Sequence, residues 1–157
     1  MFKTTTKQFR QAYHSLILAR PLTRLYDRIR PLDSFGDRGE RIAERYLLKQ
    51  GYVIVDRSYQ NAIGEIDLIA VDDRTVVFVE VKTRSSHEKG HPAEAVDAEK
   101  QKQLTRVGLS YMKWHHLSEV SVRFDVIAIT WPSRSDEPQI EHFENAFEPV
   151  GDWNMFA

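Results

Sequence analysis

Asp67, Glu80, Lys82 and, further upstream, Glu40 are the residues whose types and spacing point to chemistry. Glu80-Val81-Lys82 sets a carboxylate and an ammonium two residues apart, and Glu65-Ile66-Asp67 does the same for two carboxylates. Residues two apart on a strand share a face. Both triplets sit in otherwise apolar runs, so each pair would be carried into a protein interior. Burying such charges unpaired costs several kcal/mol, the order of ionic desolvation penalties in proteins. A divalent cation offsets that cost. Oxygen donors without His or Cys suit Mg²⁺ or Mn²⁺ rather than zinc. A lysine beside two carboxylates can steady a water or a phosphate oxygen. The plain alternative is a salt-bridged pair on a half-exposed strand, which prevails for an isolated Glu-x-Lys. It weakens here because Asp67 lies on the expected hairpin partner. Asp67 and Glu80 are therefore the expected metal ligands; for Glu65 neither reading prevails.

Three strands must position these residues. Tyr52–Tyr59 alternates Val53 and Val55 against Tyr52 and Ile54, Glu65–Val71 follows, and Thr75–Lys82 is the third. Asp72-Asp73-Arg74 reads as the turn that pairs the last two as a hairpin. Val76-Val77-Phe78-Val79 is apolar on both faces, as in a strand at the sheet centre. A helix is expected over 37–50, ended by Gly51, and a longer one over about 93–115. Ser121–Trp131 reads as a fourth strand, with a short one near Gln139–Phe143. The order αβββαβ predicts a central mixed sheet flanked by helices.

The helices add candidates. In the first, Ile42, Ala43, Tyr46 and Leu47 make one stripe, and Gly39 on it permits close approach to a neighbour. Glu40 lies about 90° from the stripe and borders the core, while Glu44, at about 130°, points to water. Glu40 is thus the third carboxylate, although an acidic residue also suits any helix's first turn. In the long helix Lys100 falls inside the stripe of Val96, Leu104, Val107 and Tyr111. It either snorkels outward or reaches a phosphate at the site. His87 and His91 lie in a loop expected near the site, but the six histidines show no ligand spacing. Arg123 and Asp125, two apart, are expected to pair structurally.

The absence of cysteine excludes disulfides and thiolate metal sites. No apolar run approaches the roughly 20 residues a membrane span needs, and Leu16-Ile17-Leu18-Ala19 is too short for a signal peptide's apolar core. A cytoplasmic location and no membrane partner are the expectation. The net charge of −1 hides an asymmetry, because residues 1–34 carry seven Lys/Arg against Asp27 and Asp33, a net +5, leaving −6 for the rest. Three units are therefore expected: a basic extension over 1–34, helical or mobile, with a stripe of Phe9, Tyr13, Leu16 and Ile17; a domain over 35–147; and a tail over 148–157.

Gly39-Glu40, Gly64-Glu65-Ile66-Asp67-Leu68-Ile69-Ala70, Val79-Glu80-Val81-Lys82-Thr83-Arg84 and Glu94-Ala95-Val96-Asp97 followed by Lys100 together resemble the YraN family of uncharacterised bacterial proteins. The resemblance covers about residues 36–147. That family is similar to the restriction-endonuclease-like superfamily, archaeal-type Holliday junction resolvases above all. The superfamily pattern is a helix glutamate, an aspartate, then Glu-x-Lys, which here falls on Glu40, Asp67, Glu80 and Lys82. Ile66 stands where many members have proline, without effect on ligand chemistry. The resemblance implies a restriction-endonuclease-like fold and a Mg²⁺- or Mn²⁺-dependent endonuclease acting on DNA, branched DNA included. Glu40, Asp67, Glu80 and Lys82 would be catalytic, and Lys100 and Arg84 would contact nucleic acid. A homodimer is compatible with this. Inactive relatives keep the same fold, so the alternative is a nucleic-acid-binding or adaptor protein with a degenerate site.

The basic extension is expected to add sequence-independent DNA affinity. Neutralised phosphates release counterions, giving a log–log salt slope of roughly −0.9 per phosphate on duplex DNA. Deleting residues 1–34 should flatten that slope and leave Mn²⁺ binding intact. A deletion variant with the slope and affinity of the full chain would assign the extension to protein docking instead.

Overall fold

The computed structural model describes residues 34–85, 96–132 and 137–151. Of the expected features, residues 1–33 of the basic extension, His87 and His91, positions 93–95 and residues 152–157 of the tail lie outside these residues.

The first helix, α1, spans Phe35–Lys49. Ser34 caps it: its hydroxyl accepts from the Asp37 N–H at 3.1 Å while Asp37 accepts from the Ser34 N–H at 3.0 Å, a reciprocal capping box. Gly51 ends the helix with φ of +91°, and the Tyr52 N–H closes the turn on the Leu47 carbonyl.

Strands β1 (Val53–Gln60), β2 (Glu65–Asp72) and β3 (Thr75–Arg84) follow. Then come α2 (Ala98–Trp114), β4 (Ser121–Thr130) and β5 (Gln139–Phe147). The strands form one sheet in the order β1-β2-β3-β4-β5. Only β3 and β4 run parallel; the other pairs are antiparallel. The parallel pair needs a crossover, and α2 lies within that connection. The expected mixed α/β architecture, consistent with a restriction-endonuclease-like fold, is what the chain adopts. The fifth strand is a full edge strand reaching Phe147, so the order of the described elements is αβββαββ.

The sheet is covered on both faces. Ala43 and Leu47 of α1 pack on Ile54, Leu68, Val77, Val79 and Ile127. Leu104, Val107, Tyr111 and Met112 of α2 pack on Ile69, Phe78, Phe124 and Val126. Central β3 contributes to both clusters, Val76 and Phe78 to one and Val77 and Val79 to the other, which is why its sequence shows no polar alternation. No helix among the described residues is long and apolar enough to cross a membrane.

The long helix starts later than its apolar spacing suggests. Asp97 is its N-cap and accepts from the Lys100 N–H at 2.8 Å, so buried Val96 precedes the helix. A carboxylate placed to satisfy the first-turn donors sets the boundary more sharply than apolar periodicity does.

Gly39 brings α1 against the end of β3. A Cβ at this position would overlap the Thr83 hydroxyl. Gly39→Ala gains about 1 kcal/mol of helix propensity, yet the clash should outweigh it and destabilise the protein by about 1–3 kcal/mol. Urea denaturation should show this, and adding Thr83→Ala should reverse it. A Gly39→Ala variant more stable than wild type would mean that the helix stands off the strand.

Candidate functional site

Asp67 and Glu80 meet because of strand register. The β2–β3 ladder pairs Asp72 with Thr75, Ala70 with Val77 and Leu68 with Val79. Continued by one residue, that register sets Asp67 directly opposite Glu80, at a non-hydrogen-bonded position where facing side chains come closest. The next hydrogen-bonded pair would be Ile66 with Val81, but the ladder ends before it. The Val81 N–H donates instead to Asp67 Oδ2 at 2.6 Å. The side chain thus substitutes for a backbone acceptor, and the Val81 carbonyl lies on the same opened strand edge as its N–H.

Glu80 is 4% exposed. Its Oε1 accepts from Lys82 Nζ at 2.6 Å and is 3.2 Å from Lys100 Nζ. Its Oε2 is buried with no hydrogen-bond partner among the described residues. An orphaned oxygen of this kind costs more than an average hydrogen bond contributes. Asp67 carries the same imbalance as a raised proton affinity. Burial first, then repulsion from Glu80, push its carboxyl up to about 7, with Glu40 adding to the rise. The Val81 N–H and Lys100 oppose these effects without cancelling them.

The other expected site residues divide. Glu40 raises Asp67 electrostatically from α1, while its own carboxylate is 3.4 Å from the Ser58 hydroxyl. Arg84 ends β3 two residues beyond Lys82, and its carbonyl accepts from the Trp131 N–H at 3.0 Å. Glu65 is exposed and pairs across from Gln60, apart from the cluster. Glu44 does not point to water: Arg57 of β1 binds both its oxygens, with Nε on Oε2 at 2.9 Å and Nη2 on Oε1. Helical angle alone missed this because a strand with a long basic side chain lies under that flank of α1. Lys100, left between two readings by periodicity, faces inward onto Glu80.

A second buried carboxylate provides a contrast. Asp125, 1% exposed, pairs with Arg123 as its spacing suggests, and also accepts from the Asn145 N–H at 3.0 Å and lies 2.8 Å from His142 Nε2. Burial alone would raise its pKa, but the hydrogen bonds from His142, Arg123 and Asn145 prevail and hold it below the usual range. Both oxygens are satisfied, as in a structural ion pair. The participation of His142 was not readable from spacing, because β5 brings it from 17 residues away.

Among the described residues no group of three or more His, Cys, Asp or Glu is placed to hold a metal ion. A cation here would rest on the Asp67–Glu80 pair, with backbone, water or substrate oxygens completing its shell. Mg²⁺ commonly binds through one or two carboxylates in this way. The orphaned Glu80 oxygen and the raised Asp67 carboxyl both mark carboxylate oxygens that the described residues leave incompletely answered, so the donor set fits a hard divalent cation.

Comparison with known proteins gives a consistent family assignment. The model of "Uncharacterised protein family UPF0102" matches residues 39–129. A UPF0102 protein of Rhodopirellula baltica is 44% identical over 119 residues, covering 74% of this chain and 71% of its own length. One from Chlorobium phaeobacteroides is 47% identical over 116 residues, covering 71% and 92%. One from Geobacter sulfurreducens is 46% identical over 113 residues, covering 72% and 88%.

The Asp67 shift makes stability depend on pH. Unfolded, the carboxyl releases its proton near 3.8; folded, it keeps it to about 7. Between those values the folded state binds more protons, so folding weakens as pH rises through the window. Asp67→Asn should remove this slope and raise metal-free stability above pH 7 by roughly a few kcal/mol, while weakening Mn²⁺ binding. Urea midpoints across pH 4–8 and isothermal titration read both effects. An unchanged pH slope together with unchanged Mn²⁺ affinity would leave Asp67 a purely structural acceptor.

Proposed function

The chain belongs to the uncharacterised protein family UPF0102, and on that footing we propose that it is a Mg²⁺-dependent endonuclease hydrolysing phosphodiester bonds in DNA, branched DNA included. One observation carries the reading: Glu80 is buried with two lysines on one oxygen and, among the described residues, no partner on the other, facing a carboxyl whose proton affinity is pushed up to about 7. The other deeply buried carboxylate, Asp125, has both its oxygens satisfied by protein partners.

A divalent cation held by Asp67 and Glu80 would supply an acidified water and positive charge against the phosphate. Asp67 accepts the Val81 N–H and is thereby fixed in orientation at the open end of β2 and β3. Lys82, anchored on Glu80 at 2.6 Å, sets a half-buried ammonium beside the pair, where it donates to the attacking water or to a non-bridging phosphate oxygen. Lys100, on the opposite helix, is the second fixed cation and holds the phosphate from the α2 side. Glu40 adds negative potential from α1 and would complete the carboxylate set around the cation, directly or through a water. Arg84 stands beyond Lys82 at the strand end, in position for the neighbouring backbone.

The second reading is a non-catalytic nucleic-acid-binding or adaptor protein. The observation in its favour is that Lys82 and Lys100 already neutralise Glu80, so the site tolerates the metal-free state. A nuclease screen on duplex, single-stranded and four-way-junction DNA with Mg²⁺ and Mn²⁺ separates the two. Cleavage is expected for the wild type and not for Asp67→Asn or Glu80→Gln, with Lys82→Ala slower by roughly 10²–10³-fold. Wild-type protein that shifts DNA but cuts none of these substrates is the adaptor.

A further inference from the structure

We propose that the cleft between the β1–β2 turn and the first turns of α2 binds a second backbone phosphate of the polynucleotide, held by Lys102 and Arg106. The inference rests on the DNA reading above and extends it to residues outside the carboxylate site.

The cleft has a volume of about 460 Å³, within the range of small ligand sites. Ile63, Lys100, Gln103, Lys102 and Arg106 line it, with Asp97 and Glu99. Lys100 belongs to both places: its ammonium is on Glu80, and its side chain forms part of the cleft wall. The cleft therefore begins where the carboxylate site ends, as a track for a continuous strand requires.

Its wall is built rather than incidental. Asn61 Oδ1 accepts from the Ile63 and Gly64 N–H groups at 2.8 and 3.3 Å, and the Asn61 N–H donates to the Gly64 carbonyl. Gln103 Nε2 then donates to the Ile63 carbonyl at 3.2 Å. Gly64 lies so close to this amide that a Cβ would come within 2.6 Å of it. The turn is thus clamped to α2 and keeps the cleft open without a ligand, which lowers the entropic cost of binding.

The charges favour an anion. Lys102 and Arg106 are four residues apart on α2, hence neighbours on one face. Both are exposed, and among the described residues neither has an ion-pair partner. The Asp97 carboxylate is turned back to cap the Lys100 N–H and Glu99 is exposed, so the lining sets the three cations Lys100, Lys102 and Arg106 against two carboxylates. Arginine's planar fork suits phosphate in particular.

The test is fluorescence anisotropy of the full chain on a short labelled DNA duplex in EDTA, across a salt series, with Mn²⁺ titration calorimetry alongside. Lys102→Ala/Arg106→Ala should weaken binding and make the log–log salt slope shallower by about one, as the loss of one neutralised phosphate requires, with Mn²⁺ affinity unchanged. The charge-preserving Lys102→Arg/Arg106→Lys variant should keep the slope. A double alanine variant with wild-type affinity and slope overturns the proposal, as does a wild type with no DNA affinity. DNA binding with the expected slope change but no cleavage in any metal ends the nuclease reading and leaves the cleft standing. Cleavage with an unchanged slope does the reverse.

Discussion

Two carboxylates facing each other across the open end of an antiparallel strand pair set the terms for what surrounds them. Asp67 and Glu80 are held together by register, and like charges so placed repel in proportion to how little water separates them. The protein answers with Lys82 from the same strand and Lys100 from the helix across the face. It withdraws a backbone pairing so that the Val81 N–H can serve Asp67. The compensation is incomplete: one Glu80 oxygen has no partner among the described residues, and Asp67 holds its proton well above the ordinary range.

That incompleteness separates this cluster from the other buried carboxylate. Asp125 is more completely enclosed, yet arginine, histidine and a backbone N–H satisfy it, and its acidity increases. The bulged pairing of β4 with β5 between Phe124 and Val126 brings the Asn145 N–H to it. Within one sheet, a charge fully answered by the protein is structural. A charge left partly unanswered is the one a ligand can stabilise.

The surrounding architecture serves the opened strand end. β3 is central and apolar on both faces, so it fixes Glu80 rigidly. The Asp97 cap sets where α2 begins and thereby where Lys100 stands. Gly39 permits the close packing of α1 on Thr83 that brings Glu40 within electrostatic reach of Asp67.

Much of this was legible in the chain. Alternation put Glu80 with Lys82 on one face, and the Asp72-Asp73-Arg74 turn implied the partner strand that carries Asp67. The apolar β3 run announced a central strand, and the α2 stripe included Lys100 while leaving open whether it turned outward or in. These features are local, because the two-residue period of a strand and the 3.6-residue period of a helix fix directions within one element. What lay between elements was not legible. Periodicity sent Glu44 to solvent, but Arg57 on β1 pairs with it. His142 joins Asp125 from another strand, and the bond from Gln103 to the Ile63 carbonyl spans 40 residues. The sequence by itself determined which carboxylates and lysines share a face. Only the tertiary structure decided which of them are answered by a partner and which are left open, because that depends on the three-dimensional meeting of side chains whose separation along the chain carries no fixed period.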